Sequence, residues 1–318
     1  MSLARTNYDP RLLLALTARG AFRDAPVSLL DVGCSGGIEA FWRGIPSDQF
    51  RAVAVDPMVD EIDRLRGLET NANVEYVPAW IKCRSYPEPE GVSNRLFRPT
   101  SAMAYAATAV SSPRQPRLAD KTVSADELVT YSIDFMKVDT DGGDMEVLVS
   151  AEGTLASVLG VAIEVQFQGF QGDYDNTFSS IDRFLRRYGF SLYDLDVHRY
   201  SSDALPDNFV YIIPAQTNRG QIILGEAVYL RHPALMDSSA ALKLAAFFEI
   251  FGLNDCAVAV IQANPGVFEE GDLDILADEW HAGETYASLM QRFKTDPRSF
   301  LAPPPVGFVD DLPDWIQR

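Results

Sequence analysis

Short apolar runs recur along the first two thirds of the chain, and stretches with apolar positions three and four apart fall between several of them. Val27–Val32 is apolar at Val27, Leu29, Leu30 and Val32, the pattern of a strand buried on both faces. Arg51–Val55, Asn73–Ala79, Ile133–Val138, Gly160–Val165, Phe190–Leu195 and Asn208–Ile213 read as further strands, making seven. Helices are predicted for Leu12–Ala18, after the glycines that follow Val32, and over Val59–Leu68, Ser124–Leu128, Met145–Leu155 and Ile181–Tyr188. Glu127 lies three residues after Ser124, so the fourth of these should open on a capping box. Strands alternating with helices and ending in a strand pair predict an α/β fold with a mostly parallel sheet. From about Gln216 the texture changes. Leu244, Phe247, Phe248 and Phe251 make a helical stripe closed by Gly252, and Asn254 opens a second helix ended by Pro265. The expected division is 1–215 for the α/β domain and 216–318 for a helical C-terminal extension.

The stretch Val27–Ile38 organises the rest. Asp31 and the turn Gly33-Cys34-Ser35-Gly36-Gly37 stand at the carboxyl end of the first strand, where open α/β sheets bind ligands. The second strand ends on Asp56, followed by Pro57, nineteen positions after Gly37. A carboxylate there is placed to accept the hydroxyls of a ribose. The spacing G-x-x-G-G departs from the G-x-G-x-x-G that cradles a pyrophosphate, which disfavours a nicotinamide dinucleotide. S-adenosylmethionine, which carries no phosphate, suits the pattern better. Asp31 would take its cationic end and the N–H groups of the turn its carboxylate. Ala79 and Trp80, after the third strand, are candidates for the adenine pocket. A nicotinamide cofactor, or a turn that holds no ligand, is the alternative.

Charge narrows the partners. The 318 residues carry 45 acidic against 27 basic side chains, a net charge of −18, and such a surface repels nucleic acid. Cys34, Cys83 and Cys256 form no C-x-x-C pair, and His198, His232 and His281 are scattered, so no zinc site is expected. No apolar run approaches the ~20 residues of a membrane span, and the expected location is the cytoplasm. Residues 82–124 are rich in Pro, Ser and Arg and read as a lid or substrate loop, with Ser101 as a substrate contact. The acids from Glu269 to Glu279 read as a solvated face.

A second acidic group, Asp139, Asp141, Asp144 and Glu146, surrounds Gly142-Gly143 after the strand Ile133–Val138. Asp139 would end a strand beside the first and face the same crevice as Asp31 and Asp56. Methyl transfer to oxygen needs an acceptor hydroxyl held in line and losing its proton, and Asp139 is the candidate to take it. Lys137, two residues earlier, shares its strand face and would keep Asp139 ionised. Glu164 and Gln166 end the next strand and are placed to bind acceptor hydroxyls, with Asp141. The spacing does not match a calcium loop. Magnesium on Asp139, Asp141 and Glu164 is a further alternative, and Asp144 reads as a first-turn acid favouring its helix dipole.

Asp31-Val32-Gly33-Cys34-Ser35-Gly36-Gly37, Asp56-Pro57 and Phe135–Asp144 with Val147-Leu148 and Glu164 together resemble the FkbM family of S-adenosylmethionine-dependent methyltransferases. The family pattern is roughly K-[IV]-D-x-E-G-x-E; this chain has Asp141 and Asp144 where Glu is usual. The resemblance spans about 27–213. It implies a Rossmann-like class I methyltransferase fold, with Asp31, Gly33 and Asp56 binding the cofactor and Asp139 at the active centre. It also implies O-methylation, of a sugar, glycan or glycolipid precursor or of a polyketide-type natural product. A non-catalytic module that keeps the nucleoside pocket is the rival reading. The C-terminal helices offer a surface for a homodimer.

Overall fold

A computed structural model describes residues 6–86, 117–167, 173–200 and 220–296 of the chain. Seven strands form one sheet: β1 (Val27–Val32), β2 (Phe50–Asp56), β3 (Val74–Pro78), β6 (Phe135–Val138), β7 (Gly160–Gln166), β8 (Phe190–Tyr200) and β9 (Gln221–Arg231). Two short strands, β4 (Trp80–Ile81) and β5 (Thr122–Val123), pair with each other alone. The order in the large sheet is β3-β2-β1-β6-β7-β9-β8, and only β9 runs antiparallel to its neighbours. Every residue of β1 is buried, as its unbroken apolar reading required. Strand order reverses between β1 and β6, so the carboxyl ends of these two strands flank the crevice where such sheets bind ligands.

Helices α1 (Arg11–Ala18), α2 (Val59–Leu68), α3 (Ala125–Leu128), α4 (Asp144–Ser150) and α5 (Phe178–Arg187) form where the periodicity placed them, with shifted ends. The Ser124–Glu127 capping box is present in both directions. No α-helix follows the glycine turn. Gly37 is left-handed at φ +94, and Pro46 ends the segment nine residues later. Between them only a 3₁₀ turn forms, Trp42–Gly44.

The face left open there is covered from the far end of the sequence. Helix α6 (Ser238–Ile250) sets Phe247 against Trp42 and Phe135 at 5.6 and 5.2 Å between ring centres, and Phe251 just past it stacks on Phe135 at 5.5 Å. The carboxylate of Glu249, fully buried, accepts the N–H groups of Leu12 and Leu13. It caps α1, whose own preceding residue is Pro10 and supplies no side-chain cap. The stripe read as part of a C-terminal extension is therefore buried in the main core, with α7 (Asn254–Ala263) packed beside it.

Two further readings change. The strand read at Asn208–Ile213 lies outside the described residues, while β9 enters the sheet beyond position 215, so the sheet outruns the boundary drawn from sequence. His198 lies within β8. Contacts group Met1–Phe268 as one compact unit and Glu269–Arg318 as another. The second holds α8 (Glu270–Trp280) and α9 (Tyr286–Thr295), each opened by a capping box. Its acids are partly structural: Asp272 is buried in the first box, Asp274 accepts the N–H of Tyr286, and Asp278 that of Gly283.

Candidate active site

The parallel register sets Asp31 of β1 beside Lys137 of β6. The Lys137 ammonium lies 3.3 Å from Asp31 Oδ1 and 3.6 Å from Asp139 Oδ2, and it donates to the carbonyl of Gly33. Burial alone would push the Lys137 ammonium toward losing its proton, but Asp31 and Asp139 outweigh it and hold the group above its ordinary range. Lys137 is thus held cationic between two acids. Asp31 is 3% exposed. Burial pushes its carboxyl up to about 6 against the pull of Lys137. Its Oδ1 is buried and has no hydrogen bond of good geometry, although it lies at ion-pair distance from Lys137.

Asp56, at the tip of β2, accepts the N–H of Met58 at 2.8 Å and is reached by that of Ser35. Burial raises its pKa. Gly33 has a reason beyond ligand approach: at φ +80, an added Cβ would stand 1.8 Å from the carbonyl oxygen of Asp139. The Cys34 side chain is buried, and burial with Asp31 nearby pushes its thiol far up, so it packs as a neutral group. Above Gly36 an added Cβ would meet nothing within 4 Å, while at Gly37 it would touch Leu65 at 3.0 Å. Ala79 is buried and its N–H reaches the carbonyl of Asp56. Trp80 is 37% exposed, so core packing does not account for it. Its indole N–H donates to Ala119, whose own N–H donates to Pro57. Residues 117–121 thus lie against the end of β2. Ser101 lies outside the described residues.

Asp139 follows β6, and its N–H donates to Val32 across the crevice. Asp141 is exposed and is the one non-glycine residue with positive φ, at +53, among those described. Asp144 has a fuller role than a dipole partner. Its carboxylate accepts the N–H and hydroxyl of Thr140, both at 2.9 Å, and the side-chain amide of Asn176 at 3.0 Å. Asn176 in turn accepts the N–H of Met145. Glu146 accepts from Lys82 and from the N–H of Cys83, tying α4 to the end of β4. Sequence reading missed Asn176 and a direct cross-strand pair, Glu164 of β7 opposite Glu226 of β9. Burial, then Asp144, Asp139, Asp141 and Glu226, push the Glu164 carboxyl up to about 9. His198 Nε2 lies 3.9 Å from Glu226. Gln166 is buried at the end of β7. Among the described residues no group of three or more His, Cys, Asp or Glu is arranged to hold a metal ion.

A parallel sheet reversed between its central strands and closed by one inserted antiparallel strand, with acids at the tips of β1, β2 and β6, is the class I methyltransferase fold. Residues 69–192 match the family model described as the methyltransferase FkbM domain. That stretch contains Lys137, Asp139, Asp141, Asp144 and Glu164 and excludes Asp31, the glycine turn and Asp56, so it is narrower than the resemblance read from sequence. No curated protein matches the chain in sequence. Among solved structures, the methyltransferase FkbM from Methylobacillus flagellatus KT aligns with TM-score 0.35 and 12% identity, covering 63% of this chain and 43% of that one. Magnesium protoporphyrin IX methyltransferase from Synechocystis PCC 6803 with bound SAM aligns with TM-score 0.34 and 7% identity, covering 70% and 77%. The N-terminal domain of EvdMO1 with SAH bound aligns with TM-score 0.34 and 11% identity, covering 71% and 82%.

Proposed function

We propose that the protein is an S-adenosylmethionine-dependent O-methyltransferase acting on a hydroxyl of a sugar, glycan or glycolipid precursor. The observation that carries the cofactor reading is Asp31. Its carboxylate is buried at the crevice, and Oδ1 is met only at ion-pair distance by Lys137, 3.3 Å away, which leaves it able to accept a hydrogen bond from a cationic group of the ligand. Asp56 would accept the ribose hydroxyls, and Ala79 and Trp80 would border the adenine. The bound cofactor supplies a methyl group on a cationic sulfur, ready for in-line displacement.

Asp139 takes the proton of the acceptor hydroxyl at its carboxylate, with Lys137 beside it. Glu164 keeps its proton at neutral pH and donates a hydrogen bond to a neighbouring acceptor oxygen, and Gln166 and Asp141 supply further polar contacts. The carboxyl and carboxamide groups of Asp139, Asp141, Glu164 and Gln166 suit a polyhydroxyl acceptor better than a polyketide. Among the described residues no helix is long and apolar enough to cross a membrane.

Calorimetric titration with S-adenosylhomocysteine tests the cofactor. Wild type is expected to bind in the micromolar range. Asp56→Ala is expected to bind about 100-fold more weakly, the loss of two charged hydrogen bonds at about 1.5 kcal/mol each. Wild type that shows no binding ends the methyltransferase reading. Transfer of a labelled methyl group to a panel of saccharide and polyketide acceptors then tests the acceptor class.

Glu164 has a signature in stability. Its folded carboxyl holds a proton that the unfolded one releases near 4.5, so stability falls as pH rises from about 5 to 9. Glu164→Gln is expected to flatten that fall in a series of urea titrations. An unchanged slope would mean that Glu164 is ionised throughout.

A further inference from the structure

The glycine turn does not leave its N–H groups open. Those of Gly33 and Cys34 donate to the carbonyl of Val55, that of Gly37 to Cys34, and that of Ser35 turns to Asp56. The remaining one, of Gly36, donates at 3.0 Å to Glu61 Oε1, a side chain of the first turn of α2. Glu61 is in turn gripped by Arg64 through two contacts of 2.7 and 2.5 Å, and its side chain is 16% exposed. A hydrogen bond to a chain carboxylate therefore takes the place expected for the cofactor's own carboxylate.

We propose that Glu61 is a positioning residue of the cofactor turn. Its carboxylate clamps the Gly36 N–H so that Gly36 and Gly37 hold their left-handed conformations, φ +87 and +94, before the cofactor arrives. The proposal rests on the methyltransferase reading and deepens it. Gly36 has open space on its Cβ side and no packing partner there, so the turn needs a tether, and Glu61 is the one the chain supplies. The Arg64 contact holds the Glu61 carboxyl down at about 2, so the clamp persists across the whole physiological pH range. With the turn's N–H groups taken and three carboxylates, Asp31, Asp56 and Glu61, around it, the turn favours the ammonium end of the amino-acid moiety over its carboxylate.

The test compares Glu61→Ala with Glu61→Gln, which keeps an acceptor oxygen. In protein labelled with ¹⁵N-glycine and free of cofactor, Gly36 amide exchange is expected to quicken at least tenfold in Glu61→Ala and to stay within threefold of wild type in Glu61→Gln. Affinity for S-adenosylhomocysteine is expected to fall about tenfold in Glu61→Ala, the worth of one charged hydrogen bond. The kcat at saturating cofactor should stay within twofold, a split between binding and turnover that loss of folding would not give. Unchanged Gly36 exchange in Glu61→Ala, or equal or tighter binding by it, overturns the proposal. If wild type fails to bind S-adenosylhomocysteine, the cofactor reading falls, while the exchange experiment still decides on the clamp.

Discussion

Gly33→Ala is expected to cost about 4–5 kcal/mol, the range of a severe core disruption, and to lower Tm by on the order of 10 °C. The alanine Cβ would stand 1.8 Å from the Asp139 carbonyl oxygen, where nothing under about 3.0 Å is tolerated. That oxygen belongs to backbone held by the hydrogen bond from Asp139 N–H to Val32, at 2.9 Å. Relief requires β1 and β6 to part at the crevice. Gly36→Ala is the control, because it meets no atom within 4 Å and carries only the strain of φ +87, about 1 kcal/mol. Thermal melts that show equal losses for the two variants would refute the steric account.

Lys137→Met is expected to be nearly as damaging, at about 3–5 kcal/mol, the cost of leaving a buried acid without its counter-charge. Asp31 already binds its proton more tightly in the folded protein, at about 6 against an ordinary 3.8. Its contribution to stability is therefore greatest below about pH 4 and declines across pH 4 to 6. Removing Lys137 raises the folded value further and extends that decline toward neutrality. The Asp31→Asn, Lys137→Met double variant is expected to recover most of the stability, since both members of the buried pair lose their charge together, and still to lose S-adenosylhomocysteine binding. Urea midpoints measured at pH 5 and 8 read the first effect and calorimetry the second. A double variant no more stable than Lys137→Met would show that the Lys137 hydrogen bond to the Gly33 carbonyl matters more than the charge.

The crevice was legible because its signals are local. A buried strand, a glycine turn and an acid one strand later can be read from Val27 to Asp56 without any tertiary knowledge. Lys137 and Asp139 followed from alternation along one strand, and Ser124 with Glu127 from a spacing of three. What stayed hidden depends on distant partners. Glu61 looks like half of an ordinary i,i+3 pair with Arg64 until the fold brings Gly36 to it. Asn176 sits in a polar stretch with no period, and only the fold shows that it holds Asp144 and the start of α4. The stripe Leu244–Phe251 announced a helix but could not name its neighbour. It therefore read as an appendage, although Trp42 and Phe135 are where its phenylalanines pack.

That last contact has a bearing on how the protein is made. Leu12 and Leu13 are held by a residue 237 and 236 positions later. At a ribosomal rate of about 5–20 residues per second, the N-terminal helix and the first strand wait on the order of 10–50 s for the segment that covers them. During that interval Trp42, Phe50 and Phe135 present an uncovered aromatic surface to the cell. A nascent chain arrested before residue 238 is expected to be a chaperone client, and one arrested far enough past residue 251 to expose α6 is expected to be released.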